Sequence, residues 1–192
     1  MKTKVSWLVL AASLAVVAAC SSQKKEEAPE QAQPTLHEVM KDEIDLHADE
    51  LWEISNPALG ENAHLDPKLM DDERWNQIEQ RATALKAAAL DLAKLDPIVV
   101  VKPGVKIADE GVPYGDTGAE VQANVDKDPQ KLRDFANALA VHAGDIASAA
   151  QRRDTERAGL LIGQLDGVCE DCHLEYWYPS QKKLLQEYGI ER

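Results

Sequence analysis

One Phe, four Trp and four Tyr leave a chain of 192 residues only 5% aromatic. With an Ala-rich composition, that scarcity disfavours a β-sandwich, whose strands draw on aromatic and β-branched side chains. Three cysteines are too few to build a disulfide scaffold. Cations are short as well, with 21 Lys and Arg against 34 Asp and Glu, for a formal charge of −13 and a pI of about 4.8. A nucleic-acid binder needs a basic stripe to neutralise phosphates, so that class is excluded. An acidic surface favours basic-surfaced or small-molecule partners instead. The one long apolar run, from Val5 to Val17, is too short to span a bilayer comfortably. What remains is a helical chain of a size that a single core serves.

Lys2 and Lys4 precede the apolar run and the small residues Ala18 and Ala19 follow it, the order of an export signal over residues 1–19. Val17-Ala18-Ala19-Cys20 resembles the lipobox of bacterial lipoproteins, which implies cleavage before Cys20 and acylation of that cysteine. Cys20 is then a membrane anchor and not a redox residue. The expected location is the periplasmic side of a bacterial membrane. Ser21, where Asp is absent, resembles the outer-membrane sorting class. Losing Lys2 and Lys4 takes the charge from −13 to −15, which strengthens the case for a basic partner. Residues 20–34 carry no large apolar side chain to offset their chain entropy and read as a tether, leaving 35–192 as the domain.

From Thr35 the pattern changes. Leu36, Met40, Ile44, His47, Leu51 and Ile54 recur at spacings of three and four, one helix face, while Glu38, Lys41, Asp42, Asp45 and Asp49 fill the other. Thr35 and Glu38 have capping-box spacing, and Asn56-Pro57 supplies the stop. A second helix is predicted from Pro67, after an Asp66 N-cap, to about Leu95, with Leu69, Ile78, Leu85, Leu92 and Leu95 inward. Between Pro97 and Asp128 lie three Pro and four Gly. The run Ile98 to Val101 is too short and punctuated for a helix. A surface crossover with one short strand is the simpler expectation there, and a loop that covers a buried site the sharper one. A third helix begins at Asp128-Pro129 with Leu132, Phe135, Leu139, His142 and Ile146 on one face. A fourth, capped by Asp154 and Thr155, presents Leu161, Leu165, Val168, Cys169 and Cys172. Pro179 breaks it after Tyr178, and a short terminal helix follows over 180–188. The expected fold is all-α, an antiparallel four-helix bundle with a long connection between its second and third helices.

Cys169-Glu170-Asp171-Cys172-His173 is a C-x-x-C-H, the attachment motif for c-type haem. Two thiols three residues apart on a helix can each reach one vinyl group of the same porphyrin, and the adjacent imidazole then falls under the iron as the proximal ligand. An exported chain suits that chemistry. The competing readings are a thioredoxin-like dithiol, which would need a βαβ context, a zinc site, which would need ligands from scattered histidines, and a structural disulfide. His64 reads as a solvated loop residue and His142 as a satisfied polar residue on a core face. The three aromatics of Leu174 to Pro179 either shield a cofactor edge or pack ordinarily. No acid–base pair or nucleophile constellation emerges, so an enzyme is not expected.

A late C-x-x-C-H on an Ala-rich four-helix chain resembles the cytochrome c′ and cytochrome c-556 family, over roughly Leu36 to Tyr188. The resemblance implies a left-handed, cytochrome c′-like bundle with one covalent haem c, bonded to the fourth helix and facing the first. Its second part is Leu36-His37-Glu38-Val39-Met40-Lys41, similar to the family segment in which a Met-Lys pair follows a basic residue. In the c-556 branch that Met is the sixth iron ligand. Met40 is therefore the expected sixth ligand opposite His173, and His47 the alternative one. Where many members have Arg shortly before the Met, this chain has His37, and its connection at 97–128 is longer than a minimal bundle needs. The expected function is one-electron transfer with a redox partner protein, because a six-coordinate low-spin iron changes oxidation state with little change of geometry. A gas-binding or gas-sensing protein with an open distal site for NO or CO is the alternative, and a haem-free structural lipoprotein the third reading. Members of the family often dimerise through their first two helices, which leaves a homodimer open.

Overall fold

The computed structural model describes residues 33–60 and 62–190. The expected export signal, Cys20 and nearly all of the expected tether lie outside the described residues. Within them the regular structure is helical, with no strand and one isolated antiparallel bridge between Leu59 and Leu65. No helix among the described residues is long and apolar enough to cross a membrane.

Local chemistry sets each helix start. Helix α1, Leu36–Val39, opens on a full capping box: the Thr35 hydroxyl accepts from the Glu38 N–H, and the Glu38 carboxylate accepts from the Thr35 N–H at 2.9 Å. It continues through a π-helical turn, Met40–Ile44, into α2, Asp45–Ser55, and Asn56-Pro57 ends the rod in a 3-10 turn. Helix α3 is Asp72–Leu92, α4 Gly118–Lys127, α5 Pro129–Gln151, α6 Thr155–Tyr176 and α7 Pro179–Glu187. Asp71, Thr117, Asp128 and Asp154 cap α3, α4, α5 and α6, each side chain accepting the backbone N–H three residues on.

Two expectations need correction. The second helix starts at Asp72 and not at Pro67. Asp66 caps only a 3-10 turn, Pro67–Leu69, and the extended backbone of Met70 separates that turn from the helix that Asp71 caps. Leu69, expected inward, is 48% exposed as a result. The connection from Pro97 to Asp128 holds no strand but does contain α4, whose Thr117 and Glu120 form a second capping box. The run 98–101 is irregular and pairs with no strand among the described residues. Its carbonyls serve helix ends instead: Val99 and Val100 accept from the N–H groups of Leu36 and His37 at 2.8 and 2.9 Å. The Gln122 side chain brackets the same run, accepting from the Val100 N–H and donating to the Ile98 carbonyl.

Packing follows the small residues. Helix α3 lies along α5 over the most extensive helix–helix contact, and both helices bury alanines, Ala82 and Ala89 on α3 and Ala136, Ala140, Ala143 and Ala147 on α5. Short side chains bring the backbones together, and Ile78, Leu85, Leu132 and Ile146 fill the core around them. Burial of a Leu or Ile contributes ~1.5–3 kcal/mol, so these four residues outweigh any surface ion pair in the fold. Helix α5 also packs on α6, and α2 on α3. By contrast, α2 and α6 touch over only a short stretch. The rod that carries Met40 and the helix that carries the C-x-x-C-H are thus loosely joined beside this core.

Candidate functional site

The C-x-x-C-H occupies the last two turns of α6. Cys169 and Cys172 are separate thiols, not a disulfide. Burial pushes each up to about 12, with Asp166 and Asp45 adding to the effect at Cys169. Both stay neutral S–H groups, the opposite of the depressed thiol that a redox dithiol uses. Burial also lowers the pKa of His173, against the opposing pull of Asp45, Asp166 and Glu170. The imidazole is biased toward the neutral form, which keeps a nitrogen lone pair for a metal.

The helix ends directly after this histidine. The N–H groups of Trp177 and Tyr178 both donate to the His173 carbonyl at 2.8 Å, and Pro179 opens α7 at its first position. That turn folds the two aromatic rings back on the motif. The Trp177 ring lies 6.2 Å from the imidazole and the Tyr178 ring 6.4 Å, edge-on. Tyr176 faces the other way, into the core, where its hydroxyl donates to the Asp128 carbonyl at 2.7 Å. Of the three aromatics, Tyr176 is thus packing, while Trp177 and Tyr178 are walls of the site.

Where α2 and α6 part, two neighbouring cavities of about 640 and 440 Å³ open, and Met40, Asp45, His173 and Tyr178 line both. The smaller also takes in Cys169 and Trp52. Trp52 bridges the two helices by donating its indole N–H to the Ile162 carbonyl at 3.4 Å. Both volumes fall in the ~300–1,000 Å³ range of cofactor sites. His173 and Met40, on different helices and 133 positions apart in the chain, face the same space.

The π-turn decides which residues face it. In that turn the Asp45 N–H donates to the Met40 carbonyl, five residues back, so one extra residue enters the turn and everything beyond it advances one place. Met40 and Ile44 are then followed along the cleft by Asp45, Ala48 and Trp52, where an uninterrupted α-helix would continue from Ile44 with His47 and Leu51. Ile44 and Leu51 are core residues. His47 is displaced from the cleft: it lines neither cavity, and its ring nitrogens lie 3.8 Å from Glu43 and 3.6 Å from Glu50, which Arg81 also approaches. The sequence-based placement of His47 on the Met40 face is corrected by this single inserted residue.

A third wall comes from the long connection, through Lys106, Ile107, Ala108 and Asp109. Ile107 is anchored in the core, and the Tyr178 hydroxyl donates to the Asp109 carboxylate. Asn124 of α4 ties the same region to α6, donating to the Tyr176 carbonyl at 3.0 Å. Of the two readings of 97–128, the loop that covers a site is the one these contacts support. His142 Nε2 lies 2.8 Å from the Leu161 carbonyl, between α5 and α6, and His64 sits beside Asn62 in a loop. Neither reaches the cleft. His37 does, at its rim, together with Lys41. Among the described residues no three His, Cys, Asp or Glu side chains gather as a metal-holding group, so Cys169 and Cys172 lack the further ligands a zinc site needs. A cofactor held by two thiols and one or two further donors would fit these residues better than a bare ion would. Set against protein-family models, curated proteins and solved structures, the chain gives no match.

Proposed function

We propose that this protein is a monohaem c-type cytochrome that transfers single electrons, with α1–α2, α3, α5 and α6 as an antiparallel four-helix bundle of the cytochrome c′ and c-556 kind. One observation carries the reading: the imidazole of a C-x-x-C-H and the thioether of Met40 face a common, cofactor-sized cleft between the two helices that resemblance to this family would pair around haem. The haem iron, when bound, supplies the one-electron couple. Cys169 and Cys172 would hold the ring covalently through their thiols. His173 and Met40 would hold the iron from the two sides of the cleft. Two protein ligands would leave no position for substrate, which favours electron transfer over gas binding. Trp177, Tyr178 and the 106–109 segment, which line the larger cavity, would shield the ring from water.

The test begins with the mature protein co-expressed with a cytochrome c maturation system. It is expected to hold one haem that survives denaturation and acid–acetone extraction, and the Cys169→Ala, Cys172→Ala double variant to lose it. Retention of haem by the double variant through that extraction overturns the attachment. A haem-loaded wild type that is high-spin in both oxidation states and binds CO rapidly would favour the gas-binding alternative.

A further inference from the structure

The two cavities have unlike ends. The smaller, beside Cys169, is edged by Asp49, Asp166 and Glu170. The larger, beyond His173, is rimmed by His37, Lys41 and Lys106 in a chain whose formal charge is −13. Lys106 has no ion-pair or hydrogen-bond partner among the described residues, and Lys41 has only Asp42, at 4.0 Å, both side chains largely exposed. Asp109 lies on the same rim, with its carboxylate already accepting the Tyr178 hydroxyl.

We propose that His37, Lys41 and Lys106 form the site for the two propionate carboxylates of the haem, with Lys106 supplied by the long connection. The proposal rests on the haem reading above. Haem carries its vinyl groups and its propionates on roughly opposite edges. Thioether bonds at Cys169 and Cys172 put the vinyl edge at the acidic end of the cleft, so the propionate edge points to the far end, where the cations are. The opposite orientation would set two carboxylates against Asp49, Asp166 and Glu170, with no cation among the residues lining that cavity. Lysine suits this role as a mobile point charge reaching a solvent-facing carboxylate. The 97–128 connection thereby has a function that a shorter link between α3 and α5 would lack.

The test uses the haem-loaded protein. Lys106→Gln, Lys41→Gln and His37→Gln, singly and together, are compared with Lys94→Gln, which removes the same charge from a surface pair with Asp91 away from the cleft. Resonance Raman propionate-bending bands are expected to shift in the cleft variants and most in the triple variant. The reduction potential is expected to fall with each lysine replaced, because positive charge near the ring favours the extra electron. Lys94→Gln is expected to match wild type in both. Bands in the triple variant identical to wild type overturn the proposal while extraction-resistant haem upholds the cytochrome reading. A protein that holds no such haem overturns both.

Discussion

At the scale of single residues, Met40 carries the choice between the two functions considered. Its side chain is partly buried against the core and lines both cavities with His173. If its sulfur holds the iron, ferric wild type is low-spin with weak far-red sulfur-to-iron absorption, and ferrous protein binds CO slowly because the thioether must first leave. Met40→Ala is then expected to become high-spin, to bind CO faster and to fall in potential, since a soft thioether stabilises ferrous iron. His47→Ala is expected to leave the spectrum unchanged, because the π-turn has moved that ring out of the cleft. A spectrum that responds to His47→Ala and not to Met40→Ala would reverse the assignment. Glu38 gives a second test at this scale. A hydrogen bond from Lys102, then the capping contacts of Thr35, lower its pKa from 4.5 to about 2. A carboxylate with a depressed folded-state pKa stabilises the fold above its unfolded value, and that contribution is lost as pH falls toward the folded one. Glu38→Gln should therefore lower Tm at neutral pH, and the gap to wild type should close between pH 4.5 and about 2. A gap that does not change with pH would show that Glu38 acts by packing alone.

At the scale of helices, α6 offers a paired experiment on two glycines. A Cβ on Gly159 would stand 2.3 Å from the Ala63 carbonyl oxygen and 2.9 Å from the Leu65 nitrogen, where the loop after α2 crosses and the Leu65 N–H donates to the Thr155 carbonyl. Gly163, one turn on, has nothing within 4 Å. Gly159→Ala is expected to destabilise by about 1–3 kcal/mol because the loop backbone must move. Gly163→Ala should stabilise by about 0.5–1 kcal/mol through helix propensity. Denaturant unfolding measures both, and equal effects would mean that the loop does not rest on α6. The caps show how far such elements are legible beforehand. Thr35-x-x-Glu38, Asp128-Pro129 and Asp154-Thr155 each marked a helix start where the structure has one. Asp66-Pro67 carried the same kind of signal and produced only a 3-10 turn, because a second capping aspartate, Asp71, follows an extended residue and has the longer apolar stripe behind it. The Thr117-x-x-Glu120 box was hidden by the glycines and prolines before it. The π-turn left no trace in hydrophobic spacing, since Ile44 and Leu51 are buried with or without it. Its consequences for His47, Asp45 and Trp52 could not be read from a 3.6-residue period. The C-x-x-C-H was legible as a local motif and Met40 through the family resemblance of its Met-Lys segment, whereas Asp45, Lys106, Asp109 and Trp52 line the cleft only through tertiary packing.

At the scale of the whole molecule, anchoring and electron transfer are separable, and the separation can be measured. The proposed lipid site, Cys20, lies outside the described residues, while the core, the cleft and every proposed ligand fall within 33–190. Gln33 is the first described residue, and it is tied to the rest of the domain. Its side-chain amide donates to the Pro97 carbonyl at 2.8 Å and accepts from the Asp96 N–H at 3.0 Å, closing the start of the domain onto the connection. A chain that begins there keeps all of these contacts, so haem-loaded protein starting at Gln33 should show the spectrum and Tm of the mature protein. Starting instead at Leu36 removes the Gln33 tie and the Thr35 half of the capping box, and should cost about 1 kcal/mol, read as a lower Tm. In the full chain, Cys20→Ser should shift the protein from the membrane fraction to a soluble periplasmic pool, or leave it unprocessed, because acylation is what would hold a domain of this charge at a bilayer. Mass spectrometry of wild type that finds Cys20 as a free, unacylated thiol would reject the anchor. It would leave the proposed cleft ligands untouched, since among the described residues those that line the cavities begin at His37.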